Sequence, residues 1–163
     1  MRRYIHYGHT KFDKSMFTKI KNVDCSTKPK GGLWASDVEA EHGWKEWCDA
    51  EEFRDCNKEN SFTFTLADDA NILYIDSVSD LQSLPKVKDK FDLNFSSWYL
   101  LDFEKLAETY DAVEVSISSD FDLYYRLYGW DCDSIVFMNP DAVVELYYGF
   151  EMLFLFGKME VRT

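Results

Sequence analysis

The sequence holds little that would grip a phosphate backbone. Against 30 Asp and Glu it has only 18 Lys and Arg, a formal net charge of −12. Nucleic-acid binding needs clustered cations, so a DNA or RNA partner is disfavoured. An acidic surface favours solubility and basic protein partners, or mimicry of nucleic acid. Histidine is scarce, with three in the chain. The four cysteines, Cys25, Cys48, Cys56 and Cys132, make no C-x-x-C pair and no His-rich ligand spacing, so no metal site is expected. No apolar run is long enough to span a bilayer, and no signal peptide is evident. These absences predict a reduced, cytoplasmic, monomeric protein without a membrane partner.

What is present is apolar and aromatic. Hydrophobic residues make up 46% of the 163 positions and aromatics 17%, enough for one packed domain over residues 1–163. Arg3 to Thr10 ("RYIHYGHT") reads as a short strand ending in a histidine and a glycine. Phe12, Met16, Phe17 and Ile20 fall at helical spacing, with Asp13 as a cap. Lys21 to Lys30 is a basic, polar connector. Gly31-Gly32 leads into a strand, Leu33 to Ser36. Ser36 and Asp37 are candidate caps for a helix from about Val38 to Asp55, with Glu39 completing a capping box. On it, Trp44 and Trp47 suit a core better than a ligand platform.

Ser61 to Leu66 ("SFTFTL") alternates cleanly and predicts a half-buried strand, and Ile72 to Asp76 a second. Ser77 to Leu84 reads as a capped helical turn, Ser97 to Tyr110 as a helix, and Tyr110 to Ile117 as a strand. Ser118 to Tyr128 reads as a folded, polar-aromatic loop. Val143-Val144 and Met152 to Phe156 read as closing strands. The sum is an α+β domain with mixed, mainly antiparallel sheet and two or three helices.

One stretch asks for a chemical explanation. Gly129-Trp130-Asp131-Cys132-Asp133 sets two carboxylates at the mouth of the apolar run Ser134 to Met138, before the turn Asn139-Pro140-Asp141. In a strand Asp131 and Asp133 would face the same way, with Cys132 pointing into the fold. An acidic pair where a buried strand begins is costly unless something uses it.

The motifs "IHYGHT", "GGLWAS" and "DSIVFMNPDA", in that order, resemble the NAD-dependent ADP-ribosyltransferases of the diphtheria-toxin and poly(ADP-ribose)-polymerase type, the His-Tyr-Glu class. In that family they read like "HG[ST]", "GIYFA" and "EYVVFDP". "SFTFTL", "ILYID" and "YDAVEV" look like its middle and penultimate strands. Trp34 stands where the family usually has Tyr, Asp133 where it has Glu, and the first motif carries an extra residue.

The resemblance implies the split, mainly antiparallel sheet of that family, NAD as substrate, and residue roles. Breaking the nicotinamide–ribose bond develops positive charge on the sugar, the problem that glycosidases meet with carboxylates. Asp133 would stabilise that charge and Asp131 would steer or deprotonate the acceptor. His6, or else His9, would bond a ribose hydroxyl, His6 being preferred because Gly8 follows it closely. The implied NAD-binding set is His6, Tyr7, Gly8, His9, Thr10, Trp34, Ala35, Ser36 and Trp44. Trp34 and Trp44 would sandwich the nicotinamide ring and Ser36 would bond its amide. The expected activity is mono-ADP-ribosyl transfer to a protein side chain, in the setting of a toxin, an effector or a phage-encoded inhibitor. The alternatives are a catalytically silent acidic binding protein on the same fold and an NAD glycohydrolase.

Overall fold

The computed structural model describes residues 2–87 and 97–146. Seven strands form one sheet: β1 (Arg3–Tyr7), β2 (Leu33–Asp37), β3 (Ser61–Leu66), β4 (Ile72–Ile75), β5 (Ala112–Val115), β6 (Ser134–Phe137) and β7 (Val143–Glu145). Their order across the sheet is β4-β5-β6-β2-β1-β3-β7. Only β4 and β5 run parallel; the other neighbours are antiparallel. The chain is therefore α+β with a mixed, mainly antiparallel sheet, as its alternating segments predict. The expected strand at Met152 to Phe156 lies outside the described residues.

Alternation in the central strands sorts the core onto the two sheet faces. Val113, Val115 and Val136 join Ile75, Leu81, Leu123, Leu127 and Trp130 on one side. Ala112, Ile135 and Phe137 join Tyr4, Phe62 and Phe64 on the other. Glu114 shares that second face and is 7% exposed. It accepts a hydrogen bond from the Tyr4 hydroxyl (2.8 Å) and pairs with Arg2 (2.9 Å). Among the described residues no buried side-chain nitrogen or oxygen lacks a partner.

Among the described residues three short α-helices flank the sheet: α1 (Trp44–Ala50), α2 (Phe103–Leu106) and α3 (Phe121–Arg126). Each differs from its sequence expectation for a local reason. The predicted helix at Lys11 to Ile20 reduces to one 3-10 turn, Lys14–Met16, because Asp13 bonds the Ser15 amide two residues on (2.9 Å). The predicted helix from Val38 to Asp55 shrinks to α1. Asp37 caps a turn at the Glu39 amide, and the N-cap of α1 is Gly43. The capping box of Ser36 with Glu39 does not form. The stretch read as a loop, Ser118 to Tyr128, contains α3, capped by Asp120 on the amides of Asp122 and Leu123. Leu123 and Leu127 turn inward one helical turn apart, while Phe121, Tyr124, Tyr125 and Tyr128 stay exposed. Of the helix predicted from Ser97 to Tyr110, only α2 is helical.

The feature that positions the site is a parting of two strands. β1 and β2 pair only at Tyr4↔Asp37 and Ile5↔Ser36. The other half of β2, Leu33 to Ala35, pairs instead with β6. His6 and Tyr7 thus run on beside β3 while Trp34 turns with β6.

Candidate functional site

A cavity of about 600 Å³ opens beside that parting, lined on the β1 side by His6, Tyr7, Gly8 and His9 and on the β2 side by Trp34 and Ala35. Trp44 and Arg54 contribute from α1 and the segment after it, Lys28 and Pro29 from the basic loop, and Cys132 and Ser134 from the approach to β6. Seven of the nine residues expected around NAD are therefore together. Gly8 takes a left-handed φ of 128°, which glycine adopts without strain.

His6 closes the parting. Its Nδ1 donates to the Trp34 carbonyl at 2.7 Å, which leaves Nε2 of the neutral ring as an acceptor. The Nδ1–H of His9 meets that Nε2 at 3.0 Å, with the two rings stacked 5.2 Å apart. His6 and His9 thus act as a pair, and His9 Nε2 is left with a free lone pair. Burial holds the pKa of His6 below its ordinary value, against the opposing effect of the Trp34 carbonyl.

The aromatic walls are built differently. Trp34 packs on the fully buried Trp130 at 5.0 Å. Trp44 stacks on Trp47 at 5.2 Å and meets the exposed Phe53 edge-on. Trp44 and Trp47 are half-buried, so this pair forms a surface cluster rather than the expected core. A cation lies over each cavity tryptophan: Lys28 Nζ 5.8 Å from the Trp34 ring, and the Arg54 guanidinium 5.5 Å from that of Trp44. Arg54 also donates to the Tyr7 carbonyl at 3.1 Å. Among the described residues, none of those lining the cavity is a carboxylate. In a chain of net charge −12, this is a local reversal of sign.

The acids expected at the site face elsewhere. β6 begins only at Ser134, so residues 131–133 are not strand and their side chains do not alternate as predicted. Asp131 turns to Lys28, with Oδ2 2.7 Å from Nζ. Asp133 turns away from the cavity to Ser118, in the 3-10 turn three residues beyond β5. Its Oδ1 accepts from the Ser118 amide (2.9 Å) and its Oδ2 from the Ser118 hydroxyl (2.6 Å). It lines a small cleft with Arg2, Asp37 and Glu114. Cys132 and Ser134 reach the large cavity instead. Burial raises the Cys132 thiol to about 12, which leaves it protonated and a poor nucleophile at neutral pH. The four cysteines are free thiols.

Ser36 is another correction. It is 2% exposed, donates to the Asp133 carbonyl (2.9 Å) and accepts from the Trp44 amide (2.9 Å). Its hydroxyl proton is committed to the Asp133 carbonyl just ahead of β6, so it is not placed to bond a nicotinamide amide. Thr10 is exposed and lies outside the cavity lining.

No family model matches the chain, and neither a curated protein nor a solved structure matches it. The arrangement must therefore be read from its own chemistry. It offers two indole faces, a histidine pair, two cations and a glycine-bordered backbone edge. These are the groups that take a planar ring joined to an anionic tail. Sequence reasoning overlooked Lys28, Arg54 and Ser134. The available signal was the concentration of Lys between positions 21 and 30 in an otherwise acidic chain. No described helix is long and apolar enough to cross a membrane.

Proposed function

We propose that the chain binds NAD in the cavity between β1 and β2 and transfers its ADP-ribose to a protein acceptor, with release of nicotinamide. The observation that carries the binding step is the convergence of His6, Trp34 and Trp44 on one cavity that also holds Lys28 and Arg54. Indole faces suit the nicotinamide ring and the cations suit the pyrophosphate, while the volume falls within the range of small-molecule sites. The transfer step is supported by the ordered resemblance of "IHYGHT", "GGLWAS" and "DSIVFMNPDA" to ADP-ribosyltransferase motifs.

For transfer, a carboxylate has to face the ribose carbon as positive charge develops on it. In this reading Asp133 supplies that carboxylate by leaving Ser118, since the neighbouring Ser134 already lines the cavity. A second reading, a catalytically silent protein on the same fold that acts by its acidic surface, is favoured by the double hydrogen bond that holds Asp133 away.

Quenching of tryptophan fluorescence by NAD tests binding, and incubation with labelled NAD, with and without a cell lysate, tests chemistry. Label on a protein, lost in Asp133→Ala, is the expected result. Nicotinamide release without labelling points to hydrolysis. Quenching with neither label nor release removes the transferase reading and leaves the silent one. No quenching removes the transferase reading at its binding step.

A further inference from the structure

We propose that Lys28 is the contact for a phosphate group of the ligand, and that Asp131 occupies Lys28 until the ligand arrives. An anion would enter the cavity by displacing a carboxylate that the chain itself supplies. The identity of the ligand as a phosphate-bearing nucleotide rests on the reading above; the competition at Lys28 rests on the geometry.

Lys28 belongs to two environments. Its ammonium sits over the Trp34 ring at 5.8 Å and lines the large cavity, yet its ion-pair partner is Asp131 at 2.7 Å. Asp131 itself is absent from that lining and borders a neighbouring cleft with His42, Ser118 and Tyr124. The pair therefore straddles the rim. Its placement is fixed by the preceding residue: the Thr27 hydroxyl donates to the Tyr128 carbonyl (2.7 Å), and the Trp130 indole donates to the Thr27 carbonyl (3.1 Å). The basic loop is thus fastened beside the acidic stretch, and only the Lys28 side chain is left to choose between partners.

The choice favours a phosphate. The two side chains are 32% and 36% exposed, and a pair this open to water is weak. An ammonium is a point charge without a fixed fork, so it donates to a phosphate oxygen as well as to a carboxylate oxygen. A pyrophosphate brings more charge and more acceptors than a carboxylate, while the released Asp131 is hydrated at the surface. Arg54, across the cavity, supplies a second cation.

The test uses the purified chain and tryptophan quenching by ADP, inorganic pyrophosphate, adenosine and NAD. Asp131→Asn is expected to tighten ADP and pyrophosphate binding about two- to fivefold and to leave adenosine unchanged. Lys28→Gln is expected to weaken ADP binding, and in that background Asp131→Asn should bring no gain. An equal gain with Lys28→Gln would mean that Asp131 acts only through the general field, and would overturn the proposal. So would an unchanged ADP affinity in Asp131→Asn, or no binding of ADP or pyrophosphate to any variant. If ADP behaves as expected and NAD does not quench, the NAD reading fails and this one stands. If NAD quenches and Asp131→Asn changes nothing, the reverse holds.

Discussion

The His6 imidazole donates to the Trp34 carbonyl at 2.7 Å across the point where β1 and β2 part. A side chain there takes the place of the next strand-to-strand rung. The same ring that borders the cavity therefore also holds its two walls together.

His6→Ala removes that rung and leaves a partly buried carbonyl without its donor. Denaturant unfolding should show a loss of about 1 kcal/mol, and NAD quenching should weaken with it. His9→Ala removes only an exposed hydrogen bond and ring contact on His6 and should lower the denaturation midpoint less. Equal midpoints for the two variants would sink this assignment.

The pH dependence follows from the lowered pKa of His6. Below an unfolded value of about 6.5 the unfolded chain binds a proton that the folded chain resists. Stability is therefore expected to fall as the pH drops from about 6.5 towards the folded pKa, and this contribution to level off below it. His6→Gln keeps an N–H donor and does not titrate there, so its melting temperature should vary less over that window. Parallel curves for the two proteins would count against burial as the cause.

Ser36→Ala deletes one hydroxyl and orphans two partly buried backbone groups, the Asp133 carbonyl and the Trp44 amide. The expected cost is about 1–3 kcal/mol in chemical denaturation. Ser36→Thr keeps the hydroxyl, and its recovery of part of the loss would separate the hydrogen bonds from simple packing.

Gly32→Ala should be severely damaging. Gly32 has φ 68°, and a Cβ there would lie 2.5 Å from the Phe137 carbonyl oxygen and 2.9 Å from a Val136 methyl. Left-handed strain and backbone overlap together should exceed about 3 kcal/mol, read as loss of soluble, cooperatively folding protein. Gly129→Ala makes a useful contrast: its φ is 108°, but the nearest atom stands 3.6 Å away.

The strands were legible because their signal is short-range. "SFTFTL" declares its face by alternation, and the apolar run Ser134 to Met138 marks a strand covered on both faces, with the side chains of β5 and β6 shared between the two core clusters. Helix extents were not, because capping competes locally: Asp13 and Asp37 spend their carboxylates on turns two residues ahead. α3 was hidden by its exposed aromatics, which mask the inward pair Leu123 and Leu127. The cavity wall was readable where residues are adjacent, as in His6 to His9. The direction of Asp131 and Asp133 was not, since it depends on where β6 starts and on Lys28 and Ser118, which lie 103 and 15 residues away.

The strand order has a consequence for how the protein is made. β1, synthesised first, sits between β2 and β3, while β2 needs β6 on its other edge. More than a hundred residues separate His6 from Ser134, yet both line the same cavity. A nascent chain that has emerged only as far as β5 has its first three strands but lacks the edge that draws Trp34 away from β1. Such long-range closure is slow, because the loops must be ordered before their contacts reward it. The cavity should therefore form abruptly, when β6 leaves the ribosome, rather than growing with chain length.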